Sequence, residues 1–177
     1  MLLQDDDVPS IVIREADLSD DAEIHTIAAF SMLTILETLP EARRDPSIMP
    51  NLSIESMAQM YRNDLGRTDR RFWLAQDAEG RIIGHAIALM RTDDSGLLHG
   101  YSYTRYVLPI WRRHGIARLL LQGAKRWWWE QGALYVLAHT HTTNHALQQL
   151  FLSEGFVVAG QQEERFSSVV LRWSPRE

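Results

Sequence analysis

The feature of this sequence that most constrains its fold is a long strand that runs almost directly into a helix. Residues 97–108 have the composition and alternation of a strand, Pro109 ends it, and a strongly helical stretch follows from Gly115 to Gln131. Alternation gives the strand one face with His99, Tyr101, Tyr103 and Arg105 and another with Leu98, Ser102, Tyr106 and Leu108. The chain must therefore combine a sheet with helices.

Hydrophobic spacing extends this unit in both directions. Further strands are predicted over 11–14, 71–76, 81–89 and 134–140, and twice within 156–173 around a turn at 160–165. Further helices are predicted between the N-cap candidates at 17–20 and Pro40, over 53–65 and over 144–154. The order is β-α-α-β-β-β-α-β-α-β-β. Residues 40–52 form a proline-containing link with too little chain before it to fold alone, so we expect a polar tail over 1–10 and one domain over 11–177.

The charge balance and residue usage exclude several classes of function. The 177 residues carry a formal net charge of −5 with a pI near 5.8, whereas a nucleic-acid-binding surface needs an excess of clustered Lys and Arg. The chain has no cysteine, which excludes disulfides, a thiolate nucleophile and cysteine-ligated zinc. The N-terminus lacks a secretory signal pattern, and no apolar run approaches the roughly 18–20 residues of a membrane span. We therefore expect a cytoplasmic protein that binds neither nucleic acid nor membrane.

The junction between the long strand and its helix has the properties of an anion-binding site. Unpaired backbone N–H groups at a helix N-terminus point toward one spot, and the helix dipole adds positive potential there. Gly115 allows a ligand to approach the backbone, Ala117 keeps the first turn free of bulk, and three arginines, Arg112, Arg113 and Arg118, suit a pyrophosphate. An ordinary strand-to-helix turn with solvated arginines is the alternative.

Two motifs resemble those of the GNAT superfamily of N-acetyltransferases. The run Arg112-x-x-Gly115-x-Ala117 matches the family's coenzyme A motif and follows Val107-x-Pro109, and the segment from Asn144 to Phe156 matches its second motif. The similarity covers about residues 11–172. It implies an α/β (α+β) fold with a mixed, mostly antiparallel central sheet of about seven strands flanked by helices.

The resemblance also implies a cofactor site for acetyl-CoA, used as a co-substrate. It assigns pairing with the pantetheine arm to the backbone of Tyr106, Val107 and Leu108. It assigns the pyrophosphate to Arg112, Arg113, His114, Gly115, Ile116, Ala117 and Arg118. Asn144 is expected to contact the cofactor or to fix the splayed strand, and capping of the following helix is compatible with either role.

Catalysis requires a base, because an alkyl amine near pKa 10 is only about one part in a thousand neutral at pH 7. Family members often place a glutamate or two histidines at positions that are Tyr101 and Tyr103 here, and their usual general acid, a tyrosine, is Phe151. Further candidates for proton transfer are His99 and either His139 or His141. His139 and His141 together with His145 could suggest a metal site, but strand alternation followed by a turn does not assure that they converge, and no carboxylate accompanies them, so no metal site is predicted.

The sequence therefore predicts transfer of an acetyl group from acetyl-CoA to a primary amine of a small molecule, by direct attack in a ternary complex. A protein or peptide acetyltransferase and a non-catalytic acyl-CoA-binding domain are the alternatives. An acidic stretch, Glu37, Glu41 and Asp45, either draws in a cationic substrate or is simply solvated. Of three consecutive tryptophans, Trp127 is the expected core member, and Trp129 either makes a homodimer contact or lies on the surface.

Overall fold

The computed structural model describes residues 10–39, 41, 42, 45, 47, 49–163 and 166–175. The elements follow the predicted order: β1 (Val12–Glu15), α1 (Asp21–Thr38), α2 (Ile54–Arg62), β2 (Arg70–Gln76), β3 (Ile82–Thr92), β4 (Leu98–Val107), α3 (Ile116–Glu130), β5 (Val136–His141), α4 (His145–Ser153), β6 (Val157–Glu163) and β7 (Ser167–Trp173). A short 3-10 turn, Pro109–Trp111, joins β4 to the loop before α3. No helix in the described ranges is long and apolar enough to cross a membrane.

The seven strands form one mixed sheet in the order β1-β2-β3-β4-β5-β7-β6, which confirms the predicted fold class. Every pairing is antiparallel except that between β4 and β5, which run parallel. These two strands pair only where Gly100–Ser102 lies beside Val136–Ala138. Beyond that point β4 continues beside β3 and β5 continues beside β7, so a wedge opens in the middle of the sheet.

Two helices cover each face of the sheet. On one face, Ile27 of α1 and Met57 of α2 pack against strand residues such as Phe72. Asp20 caps the N-terminus of α1, and a capping box that joins Ser53 to Ser56 begins α2. The opposite face is covered by α3 and α4, whose apolar residues form a second core cluster: Leu121, Ala124, Trp127, Trp128 and Phe151.

A β-bulge in β4 changes which residues lie on each face of this strand. Ser102 lies opposite Ala88 while Thr104 lies opposite Ile87, so Tyr103 is an extra residue on β4. One inserted residue exchanges the two faces for everything that follows. Arg105 consequently points toward Phe151 of α4, and the prediction that it shares a face with His99, Tyr101 and Tyr103 was wrong.

The bulge also moves Tyr106 to the face covered by α1, where its ring packs on Phe30. The prediction that Tyr106 lies on the same face as Ser102 was therefore wrong too. Thr104 is on the α1 face as well, with its hydroxyl 3.3 Å from that of Ser31. The wedge thus receives polar side chains from both faces of a single strand.

Two further predictions need adjustment. Trp127 is a core residue as expected, but Trp128 is buried more completely, while Trp129 is 50% exposed. The indole of Trp128 packs against Gly100, and its Nε1 donates a hydrogen bond to the Leu89 carbonyl. Gly160 lies inside β6 at a register shift rather than in a turn. Residues 164 and 165 of the predicted turn, like Pro40 and Pro46, lie outside the described residues.

Candidate functional site

A cavity of about 430 Å³ occupies the wedge between β4 and β5. Its walls come from residues 101–105 of β4, residues 139–141 of β5, one side of α1, the α4 segment and the hairpin of β6 and β7. The strands form this opening because the parallel pair is joined by only three residue pairs before it separates. The cavity therefore lies at a break in an otherwise continuous sheet.

The loop that follows β4 connects this strand to the N-terminus of α3 through a short 3-10 turn. Gly115 is the N-cap of α3 with φ 78°, and no side chain hydrogen-bonds to this helix end. Arg113 also has a positive φ, 71°, which is uncommon for a residue with a side chain. A Cβ at Gly115 would meet no atom within 4 Å, so glycine is needed here for its left-handed backbone. The first N–H groups of α3 are thus available to an anion.

The arginines of this loop differ in how free they are to bind a ligand. Arg112 donates through Nε to the Val107 carbonyl at 3.0 Å and through Nη2 to Glu37 of α1 at 2.8 Å. Arg118 forms an ion pair with Glu154 at 3.0 Å. Glu37 also accepts a hydrogen bond from the Tyr106 hydroxyl at 2.9 Å, so this carboxylate fastens the loop to α1.

None of the three acidic residues of the predicted substrate-attracting stretch, Glu37, Glu41 and Asp45, is among the described residues that line the cavity. Glu41 is exposed, and Asp45 accepts hydrogen bonds from Ser47. The pKa of Tyr106 is raised, first by burial and then by its hydrogen bond to Glu37. Glu37, the carboxylate of this stretch that reaches the loop before α3, is therefore already engaged by Tyr106 and Arg112.

Three other predicted cofactor residues differ in burial: Ile116 is buried, Leu108 is partly buried and His114 is exposed. Ile116 is buried against Val107 in the core, which leaves its N–H as the group that faces the loop. Leu108 is partly buried in the same cluster. The His114 ring packs edge-on against Trp111. Leu108 donates its N–H to Ile83 of β3, so the β4 backbone is paired on that side.

Carbonyls of β4 on the wedge side accept hydrogen bonds from side chains. Thr34 of α1 donates to the Arg105 carbonyl at 3.1 Å, and the Val107 carbonyl accepts from Arg112. At the mouth of the wedge, the Asn144 side chain accepts the Leu147 N–H at 3.2 Å and so caps α4. Asn144 also lines the cavity together with Phe151, whose ring is buried.

Three of the predicted catalytic side chains meet in the cavity. Tyr101, Tyr103 and His139 all line it, and the rings of Tyr101 and His139 are 5.6 Å apart. Burial raises the pKa of both tyrosines above the ordinary value for a phenol, so each is a hydrogen-bond donor at neutral pH. His141 lines the cavity too, with Nδ1 2.7 Å from the Thr143 hydroxyl.

The structure does not bring His99 to this cavity. Its ring is buried and stacks on Tyr135, with centroids 5.0 Å apart and planes 4° from parallel. Its Nδ1 has no hydrogen-bond partner among the described residues. His99 therefore belongs to the far end of β4, beside the turn that joins this strand to β3.

A buried polar chain that reaches the cavity was missed at the level of sequence. His85 Nε2 lies 2.9 Å from the Thr104 hydroxyl and 3.3 Å from that of Ser31, which accepts a hydrogen bond from Tyr61 at 2.8 Å. Burial, with a smaller contribution from Arg105, lowers the pKa of His85 to about 3, so its ring is neutral. The sequence did carry one signal for this chain, because His85 stands inside the apolar run of the central strand β3.

Arg105 is the second residue that sequence reasoning missed. Its side chain is 9% exposed, and Nε and Nη1 are buried with no hydrogen-bond partner in the described part of the chain. The guanidinium lies 5.2 Å from the centre of the Phe151 ring. Burial lowers its pKa to about 10, which still leaves it positively charged at neutral pH. No Asp or Glu is among the described residues that line the cavity.

The described residues contain no group of three or more His, Cys, Asp or Glu side chains arranged to hold a metal ion. His139 and His141 both reach the cavity, but His145 is not part of its described wall. The site therefore consists of a helix N-terminus, a splayed strand edge and a cavity with tyrosine, histidine and arginine side chains.

Comparisons with known proteins identify a family and a fold. The model of the Acetyltransferase (GNAT) family matches residues 34–156, well over half of the chain. The fold is similar to a GNAT-family acetyltransferase from Streptococcus pneumoniae, with 20% identity, a TM-score of 0.69 and coverage of 93% of this chain and 99% of that one. It is also similar to spermidine N-acetyltransferase from Vibrio cholerae in complex with CoA and spermine, with 16% identity, a TM-score of 0.71 and coverage of 94% and 96%. A ribosomal-protein-alanine N-acetyltransferase from Brucella melitensis has 21% identity, a TM-score of 0.72 and coverage of 92% and 99%.

Proposed function

This chain belongs to the acetyltransferase (GNAT) family, and from that premise we propose that it transfers the acetyl group of acetyl-CoA to a primary amine of a small molecule. The observation that carries the proposal is the wedge between β4 and β5: residues 101–105 of β4 line the cavity in it, and the same strand continues to the loop before the uncapped N-terminus of α3. A chain-like ligand with an anionic group at one end and a reactive thioester at the other matches this shape and charge. The amine attacks while both substrates are bound.

The proposed cofactor site uses the loop for charge and the strand edge for alignment. The pyrophosphate accepts hydrogen bonds from the backbone N–H groups of Gly115 to Arg118, where the helix dipole favours an anion. Arg113 and His114 flank it, whereas the charges of Arg112 and Arg118 are partly offset by their ion pairs with Glu37 and Glu154. The pantetheine amides pair with the wedge side of the backbone between Tyr106 and Leu108, where the Val107 carbonyl can accept a second hydrogen bond beside that of Arg112. Asn144 and Phe151 border the thioester. The CoA complex of the spermidine acetyltransferase with this fold supports such a site.

In the proposed reaction the amine nitrogen forms a bond to the acetyl carbon, the carbon–sulfur bond breaks and its electron pair leaves on sulfur. The ammonium proton must be removed before attack, and we assign this role to His139, whose ring lies 5.6 Å from that of Tyr101 in the cavity. Tyr101 and Tyr103, as phenols, donate hydrogen bonds to the acceptor or to the thioester oxygen. His99 has no part in this scheme because it lies outside the cavity wall.

The size of the cavity supports a small acceptor. A volume of about 430 Å³ lies within the range of roughly 300–1,000 Å³ typical of small-molecule sites. Acetylation of a peptide or protein would require an acceptor groove that leads to the same thioester. Measuring thioester consumption with small amines, amino acids and peptides separates these acceptors. If acetyl-CoA binds but is not consumed with any of them, the protein is a non-catalytic acyl-CoA-binding domain.

The test of the cofactor site is a Gly115→Glu variant compared with Gly96→Glu. The two glycines have nearly the same left-handed φ, 78° and 79°, and a Cβ would meet nothing within 4 Å at either, so both variants carry similar backbone strain. Gly96 lies in the turn before β4, at the opposite end of the strand from the loop. We expect calorimetry to detect no acetyl-CoA binding for Gly115→Glu and unchanged affinity for Gly96→Glu. Equal affinity in the two variants would contradict the assigned site.

A further inference from the structure

Arg105 is a buried cation for which the described protein supplies no counter-ion. Other arginines of the chain pair with carboxylates, among them Arg70 with Asp64 and Arg112 with Glu37, each over a short distance. Burying a charge is costly unless it is paired and hydrogen-bonded. Nε and Nη1 of Arg105 have neither kind of partner among the described residues. A ligand with negative charge in the cavity would remove this cost.

Arg105 lies along the path that a chain-like cofactor must follow. It is three residues beyond Ser102, where β4 leaves β5, and three residues before Leu108, where the anion-binding loop begins. At about 3.3 Å per strand residue, it lies roughly 10 Å from each end of the splayed segment. A ligand arm that enters from the loop and ends in the cavity passes this side chain.

We propose that the Arg105 guanidinium stabilises the negative charge that the coenzyme A sulfur acquires as the carbon–sulfur bond breaks. This inference rests on the proposed function. The amine nitrogen bonds to the acetyl carbon, the electron pair of the broken bond goes to sulfur, and the amine's proton leaves through the base. Arg105 transfers no proton; it contributes charge and N–H donors, and Phe151 opposite it has no proton to donate.

The surroundings of Arg105 increase the effect of its charge. The Phe151 ring and the burial of the side chain keep water away, and electrostatic interactions are stronger where the local dielectric is low. The titratable groups that face this region are Tyr101 and Tyr103 on β4, His139 and His141 on β5 and His85 on β3. None of them carries a negative charge at neutral pH, so the guanidinium is not neutralised from the described wall.

The test measures the thiolate of bound coenzyme A by its ultraviolet absorbance as a function of pH, which requires no knowledge of the acceptor. At pH 7 we expect the thiolate fraction of coenzyme A bound to the wild-type protein to be about tenfold or more higher than that of coenzyme A bound to Arg105→Leu. A difference of this size is expected from the loss of one charge-assisted hydrogen bond. Arg105→Lys keeps a point charge and should fall between them. Arg172→Leu is the matched control, because Arg172 also lies over an aromatic ring, Tyr135 at 4.5 Å, outside the cavity.

Stability and kinetics provide the second readout. Replacing an unpaired buried charge by leucine should leave the melting temperature unchanged or raise it, whereas a structural arginine would lower it on removal. With any active acceptor, kcat should fall by a similar factor while KM for acetyl-CoA changes little. Coenzyme A binding with the same thiolate fraction in both proteins overturns this inference alone. If Arg105→Leu loses activity only with acceptors that carry a carboxylate, this inference is also overturned. If the wild-type protein does not bind coenzyme A at all, the proposed function is overturned together with this inference.

Discussion

The contact between Gly100 and Trp128 gives the sharpest quantitative prediction for stability. A Cβ on Gly100 would lie 2.6 Å from Cδ1 and 2.8 Å from Cγ and Nε1 of the Trp128 ring, closer than real Cβ contacts come. The ring cannot move aside easily, because Trp128 is fully buried and its Nε1 donates to the Leu89 carbonyl at 3.1 Å. Gly100→Ala must therefore displace either the helix or the strand.

The expected cost follows from three contributions. Overpacking of a core costs about 1–3 kcal/mol, and weakening one buried hydrogen bond adds about 1 kcal/mol. Replacing glycine in a strand interior recovers about 0.5–1 kcal/mol. The net loss in the free energy of unfolding is then about 1–3.5 kcal/mol, or a fall of about 2–14 °C in the melting temperature of a domain this size.

Gly160→Ala is the control for this prediction. Gly160 is also a strand glycine, but a Cβ there meets no atom within 4 Å, so its melting temperature should stay the same or rise slightly. Thermal and urea unfolding of both variants measure the difference. Trp128→Phe should reduce the penalty of Gly100→Ala in a double-mutant cycle. Equal melting temperatures for the two alanine variants would refute the reasoning.

Three other predictions concern the site. The lowered pKa of His85, about 3, means that the unfolded chain binds a proton that the folded chain excludes, so stability should fall by about 1.4 kcal/mol per pH unit from about pH 6.5 down to about 3. His85→Gln should flatten that part of a pH series of unfolding curves, and an unchanged slope would contradict it. Asn144→Ala should cost about 1 kcal/mol of stability through the lost cap, whereas Asn144→Ser should not; if Asn144→Ser still weakens acetyl-CoA binding, the residue also contacts the cofactor. Thr104→Val should cost about 1–3 kcal/mol by leaving His85 Nε2 without its nearest partner, and Thr104→Ser should restore most of the loss in the same unfolding assay.

The elements of the fold were predictable because each carries a local signal. Pro109 and Gly115 mark the strand-to-helix junction, and the helices and strands around it have clear hydrophobic periods. The bulge at Tyr103 was not predictable, because no glycine or proline marks it and it depends on how β4 pairs with β3. Since one extra residue reverses the faces of a strand, the orientation of Arg105 was lost with it.

In the candidate site, too, features set by neighbouring residues were predictable from the sequence, and contacts between distant residues were not. The proposed anion-binding loop is a local feature, and its Gly115 has the left-handed backbone conformation, with φ 78°, that the turn into α3 requires. The pairing of Arg112 with Glu37 joins residues 75 positions apart, and the contact between His85 and Thr104 needs the sheet to be assembled. Spacing in a sequence gives the residues that a strand presents, but not which of them find a partner across the fold.

The side chains that meet the β4 carbonyls at the wedge have a consequence for solubility. By topology β4 is a central strand, but beyond Ser102 one of its sides behaves as an exposed edge, the kind of surface on which foreign strands can assemble. Thr34 and Arg112 already donate to the carbonyls of Arg105 and Val107, so an intruding strand would have to compete with them for those acceptors. The enzyme can thus keep a gap in its sheet for a ligand without offering the same gap to aggregation.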